Sequence, residues 1–77
     1  MARAAKMTGQ RLREIRERLG LTRAELAFAV GYAGKPTSLE IQIGRYETGA
    51  RPVPPWIGRL AVMYDAYGVP ERYKRRK

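Results

Sequence analysis

The chain has 77 residues and a net charge of +9, with sixteen Lys and Arg against seven Asp and Glu, and it has neither cysteine nor histidine. That removes disulfides, thiolate nucleophiles, imidazole bases and almost every transition-metal site with nitrogen or sulfur ligands, so no cofactor and no metal are expected. So short a chain holds one domain with one small core, and its carboxylates are mostly assignable to caps and ion pairs, which leaves no acid, base or nucleophile set for an enzyme.

Residues 1–7, MARAAKM, read as a basic N-terminal arm without the apolar centre of a signal peptide. Thr8 is placed to cap a first helix over about residues 9–19, in which Leu12, Ile15 and Leu19 recur at helical spacing before Gly20. Arg13 with Glu17 and Glu14 with Arg18 are four apart and read as solvated pairs. Arg16 differs, because it lies at the edge of the apolar stripe, where a charge needs a fixed partner.

In LTRAEL, Thr22 and Glu25 form a capping box and Leu21 and Leu26 a hydrophobic staple, so a second helix starts at Arg23. It is expected to bury Leu26, Ala27 and Val30 and to stop at Gly31. Arg23 points outward from the helix start, where a cation and backbone amides can share one phosphate.

The stretch GYAGKPTSLEIQIGRYETG, residues 31–49, is not a phosphate loop, since Ala29 and Pro36 occupy the places that need Gly and a hydroxyl residue. Its first part is a loop. Thr37 with Glu40 offers a second capping box, opening a third helix over about residues 38–48 with Gly49 beyond its end. Leu39, Ile43 and Tyr46 mark the buried stripe, and Glu40, Ile41, Gln42 and Arg45 the opposite side.

RPVPP is a stiff connection, and Pro54 or Pro55 suits the first turn of a fourth helix running to about Tyr67, with Gly68 and Pro70 after it. Ile57, Leu60, Ala61 and Tyr64 make its core stripe. Trp56, Met63 and Tyr67 make a second stripe, for which core is the commoner reading and a dimer or partner face the alternative. Residues 70–77 are a basic tail, and the two ends carry most of the positive excess. Mobile solvated ends and sequence-independent phosphate contact both fit them. No apolar run approaches the roughly 20 residues of a membrane span, so no membrane partner and a cytoplasmic location are expected.

LREIRERLGLTRAELA, residues 12–27, and IGRYETGARPVP, residues 43–54, together resemble the helix-turn-helix domain of the phage-repressor, Cro and XRE-like family, over about residues 8–69. The resemblance implies an all-α fold, a small four-to-five-helix bundle of the lambda-repressor-like type. It also implies a transcriptional regulator of a bacterial or phage-infected cell, associated with the nucleoid. The partner is double-stranded DNA, bound by a homodimer, with the third helix in the major groove.

By resemblance, Glu40, Ile41, Gln42 and Arg45 face base edges. Their chemistry suits, in that order, cytosine N4, a thymine methyl, adenine and guanine O6 and N7. Arg23, the amides around Thr48 and Gly49, and Arg51 fall on the backbone-contacting places, and Arg16 pairs with Glu47. From Gly31 to Gly49 the chain is about six residues longer than the common pattern. Either the turn is enlarged with Lys35 at its tip gripping phosphate, or the third helix begins a turn earlier and Thr37 and Ser38 approach the DNA. Two alternatives to a repressor are an antitoxin-like autoregulator holding a protein partner and a nonspecific architectural nucleic-acid binder.

Overall fold

The computed structural model describes residues 7–74. Arg3 and Lys6 of the expected arm, and Arg75, Arg76 and Lys77 of the tail, lie outside the described residues. The described chain is all-helical: α1 (Gly9–Arg18), α2 (Arg23–Ala29), α3 (Pro36–Glu47), α4 (Pro55–Tyr67) and a single 3-10 turn, Glu71–Tyr73, in place of a fifth α-helix.

Local chemistry sets most of the boundaries. Thr8 Oγ1 accepts from the Arg11 amide at 3.0 Å, which satisfies a free donor in the first turn of α1. At α2 both arms of the capping box are present: Glu25 N–H donates to Thr22 Oγ1 at 3.1 Å, and Thr22 N–H donates to the Glu25 carboxylate at 2.8 Å. Between them Gly20 turns the chain at φ +71°, a left-handed conformation that costs glycine little.

The start of α3 departs from the expected boundary. The helix opens at Pro36, Lys35 is its N-cap residue, and no side chain caps it, so the Thr37–Glu40 box does not form. The reason is the proline: its fixed φ suits the first helical position and it has no N–H to satisfy there. Thr37 and Ser38 therefore lie in the first turn of α3, and Lys35 is at the helix start rather than at the tip of a loop. Residues 30–35 remain as the connection between α2 and α3.

Leu12 and Ile15 of α1, Leu26 of α2, Ile43 of α3 and Ile57 of α4 are fully buried, so every α-helix contributes to one core. Ala24, Ala27, Ala29 and Ala61 are also buried, and their small side chains let the helices approach closely. Leu60, expected in the core stripe of α4, is only partly buried and packs at its margin. Tyr64 is the anchor of α4: its hydroxyl donates to the Ala29 carbonyl at 2.6 Å, supplying a partner for an acceptor at the C-terminal end of α2. Arg18 grips Asp65 through two bonds, 3.1 and 2.8 Å, tying α1 to α4 at the surface. The hydrogen bonds from Arg18 hold the Asp65 carboxyl below the ordinary carboxylate range.

A close contact between α1 and α3 depends on Gly9. A Cβ at that position would lie 2.2 Å from the Tyr46 carbonyl oxygen and 2.6 Å from that of Glu47. Only a residue without a side chain lets the start of α1 meet the end of α3 this closely.

The stripe of Trp56, Met63 and Tyr67 does not enter the core. All three are exposed, Tyr67 at 87%. After Gly68 the chain turns back toward α2, where Tyr73 and Lys74 border Leu21, Glu25 and Ala29, so the described residues leave this side of α4 uncovered.

Candidate nucleic-acid interface

The outer side of α3 follows from its periodicity. With Leu39, Ile43, Tyr46 and Glu47 buried, the positions rotated away from them are Thr37, Ile41, Arg45 and Thr48, with Ser38 and Glu40 on the flanks. All six are exposed, and Ile41 leaves 51% of its surface to solvent on an otherwise polar face. Among the described residues, the side chains of Thr37, Ser38, Glu40 and Arg45 have no hydrogen-bond or ion-pair partner within 3.5 and 4.0 Å respectively. Their donors and acceptors are available to a ligand.

Gln42 stands differently. It is half-buried on the side of the helix, and its amide nitrogen donates to the Tyr46 hydroxyl at 3.0 Å. The Tyr46 hydroxyl lies 2.9 Å from that of Tyr32, in the connection before α3. Burial, together with the Tyr32 hydrogen bond, raises the Tyr46 phenol above its ordinary value, so it stays protonated and able to donate. No periodicity marks Tyr32, and its role was not expected. The tilted packing of its ring on Trp56, with centroids 5.7 Å apart, holds it in place.

The end of α3 is held by charge. The Glu47 side chain is 1% exposed, and its carboxylate accepts from Arg16 Nε at 2.6 Å, from Arg16 Nη2 at 3.3 Å and from Arg23 Nε at 3.1 Å. Arg16 Nη1 also donates to the Leu21 carbonyl at 3.0 Å. One buried carboxylate thus joins α1, α2 and α3, and its second arginine was not expected. Arg23 was expected to stand free for phosphate; instead Nε is committed to Glu47, and 40% of its side chain stays in solvent. Gly44 makes room for it, since a Cβ there would come 3.3 Å from Arg23 Nη1. An alanine there would require the guanidinium to shift by only a few tenths of an ångström.

The amides after α3, expected to clamp the DNA backbone, have hydrogen-bond partners inside the protein. Thr48 N–H donates to the Gly44 carbonyl at 3.0 Å and Gly49 N–H to that of Tyr46 at 3.3 Å, both closing the helix on itself. The Thr48 hydroxyl remains exposed. The Arg51 amide donates back to the Arg45 carbonyl at 3.1 Å, which folds the chain so that the exposed Arg51 follows directly on the end of α3. Lys35 at one end of α3 and Arg45 and Arg51 at the other give the helix cations at both termini, with Glu40 the sole carboxylate on its exposed side. That arrangement suits a polyanion spanning the helix, with short polar and apolar side chains between the cations.

On α4, Met63 borders a mostly apolar groove of about 860 Å³ that also touches Met7, Pro54, Gly58 and Val62, with Arg11 and Arg59 among its lining. Among the described residues no group of His, Cys, Asp and Glu could hold a metal ion, and no helix is long and apolar enough to cross a membrane.

The capped α2 and the proline-started α3, joined by residues 30–35 and followed by α4 over a shared core, define a helix-turn-helix domain, a DNA-binding fold. The family model described as a helix-turn-helix domain matches residues 8–74, and the chain belongs to that family, in agreement with its resemblance to the phage-repressor, Cro and XRE-like proteins. Neither the curated proteins nor the solved structures give a significant match.

Proposed function

We propose that the chain is a sequence-specific regulator that represses transcription by binding double-stranded DNA as a homodimer, with α3 in the major groove of each half of a two-fold operator. The observation that carries this reading is the outer side of α3, exposed, with Thr37, Ser38, Glu40 and Arg45 free of internal partners among the described residues while the inner side is fixed in the core. Arg45 and Gln42 read bases, Ile41 meets a thymine methyl, and Glu40, released from a cap, accepts from cytosine N4. Thr37 and Ser38 in the first turn, Lys35, Thr48 and Arg51 contact the sugar-phosphate backbone. Arg23 adds its free guanidinium nitrogens to the same strand while Nε holds Glu47.

Selection of bound sequences from random DNA tests the whole reading. A two-fold motif with half-sites about one helical turn apart is the expected result. A ratio of specific to random affinity near one would instead favour the nonspecific architectural role.

The exposed Trp56, Met63 and Tyr67 and the adjoining groove support a contact surface on α4, either between the two copies or toward a protein partner in the antitoxin-like manner. Sedimentation of Met63→Glu separates these. Loss of the dimer with the parent's helix content retained assigns the face to self-association, and a persisting dimer leaves it for another protein.

A further inference from the structure

We infer that Tyr32 is a positioning residue for base reading: its hydroxyl, acting through Tyr46, fixes the amide of Gln42. The inference rests on the proposed reading of α3 as the base-reading helix, and it gives the lengthened connection before α3 a part in sequence preference.

The three groups form a continuous hydrogen-bonded row, Gln42 to Tyr46 at 3.0 Å and Tyr46 to Tyr32 at 2.9 Å. Gln42 Nε2 donates to the Tyr46 oxygen, and the Tyr46 and Tyr32 hydroxyls share one hydrogen bond in which either can be the donor. Both tyrosines are held independently of Gln42. Tyr46 is buried in the core, and Tyr32 packs on Trp56 while its backbone N–H donates to the Ala27 carbonyl at 3.0 Å.

A free glutamine at a helix surface samples many rotamers and both amide orientations, and a base contact must order it. Here the orientation is set before DNA arrives. The bond to Tyr46 uses one amide hydrogen and leaves the oxygen and the other hydrogen, the donor and acceptor pair that adenine matches with N7 and N6. Loss of the Tyr32 hydroxyl leaves the Tyr46 proton free to turn toward Gln42 and donate to its amide oxygen, so both amide orientations become available.

The test is selection of bound sequences from random DNA by the full chain and three variants, with thermal midpoints measured alongside. Gln42→Ala is expected to erase the preference, adenine over other bases, at one position of each half-site. Tyr32→Phe keeps the ring on Trp56 and is expected to lower the preference at that same position by roughly 2- to 10-fold, the scale of one hydrogen bond, with other positions unchanged. Tyr46→Phe gives the same position-specific loss by removing the middle of the row. An undiminished preference in Tyr32→Phe overturns the proposal. A Gln42→Ala variant that selects the parent motif also overturns it, while leaving base reading by α3 intact. If the parent selects no motif, the proposed function itself fails and this inference falls with it.

Discussion

Arg23, the first residue of α2, donates from Nε to the buried carboxylate of Glu47, the last residue of α3, at 3.1 Å. The bond ties the start of α2 to the end of α3, two helices already packed through the core. Arg16 holds the same carboxylate from α1, so one acidic side chain ties α1, α2 and α3 together.

Removal of the buried partner should be costly. Arg16→Ala leaves Glu47 with only the Arg23 Nε bond, from a side chain 40% exposed, so the loss approaches that of a broken buried pair, about 3 kcal/mol. In a domain of this size that lowers the thermal midpoint by more than about 10 °C. Arg23→Ala removes a bond from a side chain 40% exposed, and its cost is expected near that of a surface pair, about 1 kcal/mol or less. Calorimetry on both variants checks the order, and an Arg16→Ala midpoint within a degree of the parent contradicts it.

Gly9→Ala should be among the most damaging single-methyl changes in the chain. Its Cβ would sit 2.2 Å from a backbone oxygen that cannot move without shifting the end of α3. The expected loss is about 3 kcal/mol, the upper end for overpacking. Gly20→Ala has open space around the new methyl and a φ of +71°, so it should cost only about 1 kcal/mol. Denaturant midpoints of the two variants give the comparison.

Tyr64→Phe leaves the Ala29 carbonyl without its donor at the end of α2. An unpaired buried acceptor costs about 1 to 3 kcal/mol, and the ring itself is retained. Urea unfolding should show a lower midpoint with an unchanged slope, because the surface exposed on unfolding stays the same.

Stability should fall on the alkaline side. The Tyr46 phenol titrates above its ordinary value of 10.0, raised by burial and by the Tyr32 bond. A group whose pKa is raised on folding contributes stability below its unfolded value, and this is lost as pH rises through the folded value. Urea midpoints at pH 8 and pH 11, conditions on either side of about 10, should therefore differ less in Tyr46→Phe than in the parent. An equal fall in both proteins removes Tyr46 as a source of the effect.

The two exposed arginines near the end of α3 should behave differently on DNA. Arg45→Ala is expected to lose about 1 to 3 kcal/mol on the best site and little on random sequence. Arg51→Ala should weaken both alike and reduce the salt dependence. Binding titrations on a selected site and on random DNA at two salt concentrations distinguish them, and equal losses for Arg45→Ala would exclude it from base reading.

Where neighbours in the chain decide the outcome, the sequence is legible. The Thr8 and Thr22 caps, the stops at Gly20, Gly31 and Gly68, and the burial of Leu12, Ile15, Leu26, Ile43 and Ile57 all follow from spacings within one turn of helix. The helix-turn-helix family was legible from LGLTRAELA and RYETG. The start of α3 was not, because two local signals competed there: the box offered by Thr37 and Glu40 lost to Pro36, which needs no cap. The candidate site was legible as a face, but not in the commitments of its members. Nothing along the chain indicates that Arg23 and Gln42 are bonded inside the protein, that the Thr48 and Gly49 amides are already used, or that Tyr32 takes part.

What the sequence determined by itself is the set of helices and the stripe each one buries, because caps and hydrophobic periodicity act over three or four residues. What only the tertiary structure decided is which polar groups remain for DNA. Glu47 draws partners 31 and 24 residues away, and Tyr46 meets Tyr32 across 14. Those partners are chosen by how α1, α2 and α3 pack, since a buried charge or hydroxyl must be satisfied by whatever group the packing brings within reach. The surface that remains free on α3 is therefore set by the interior.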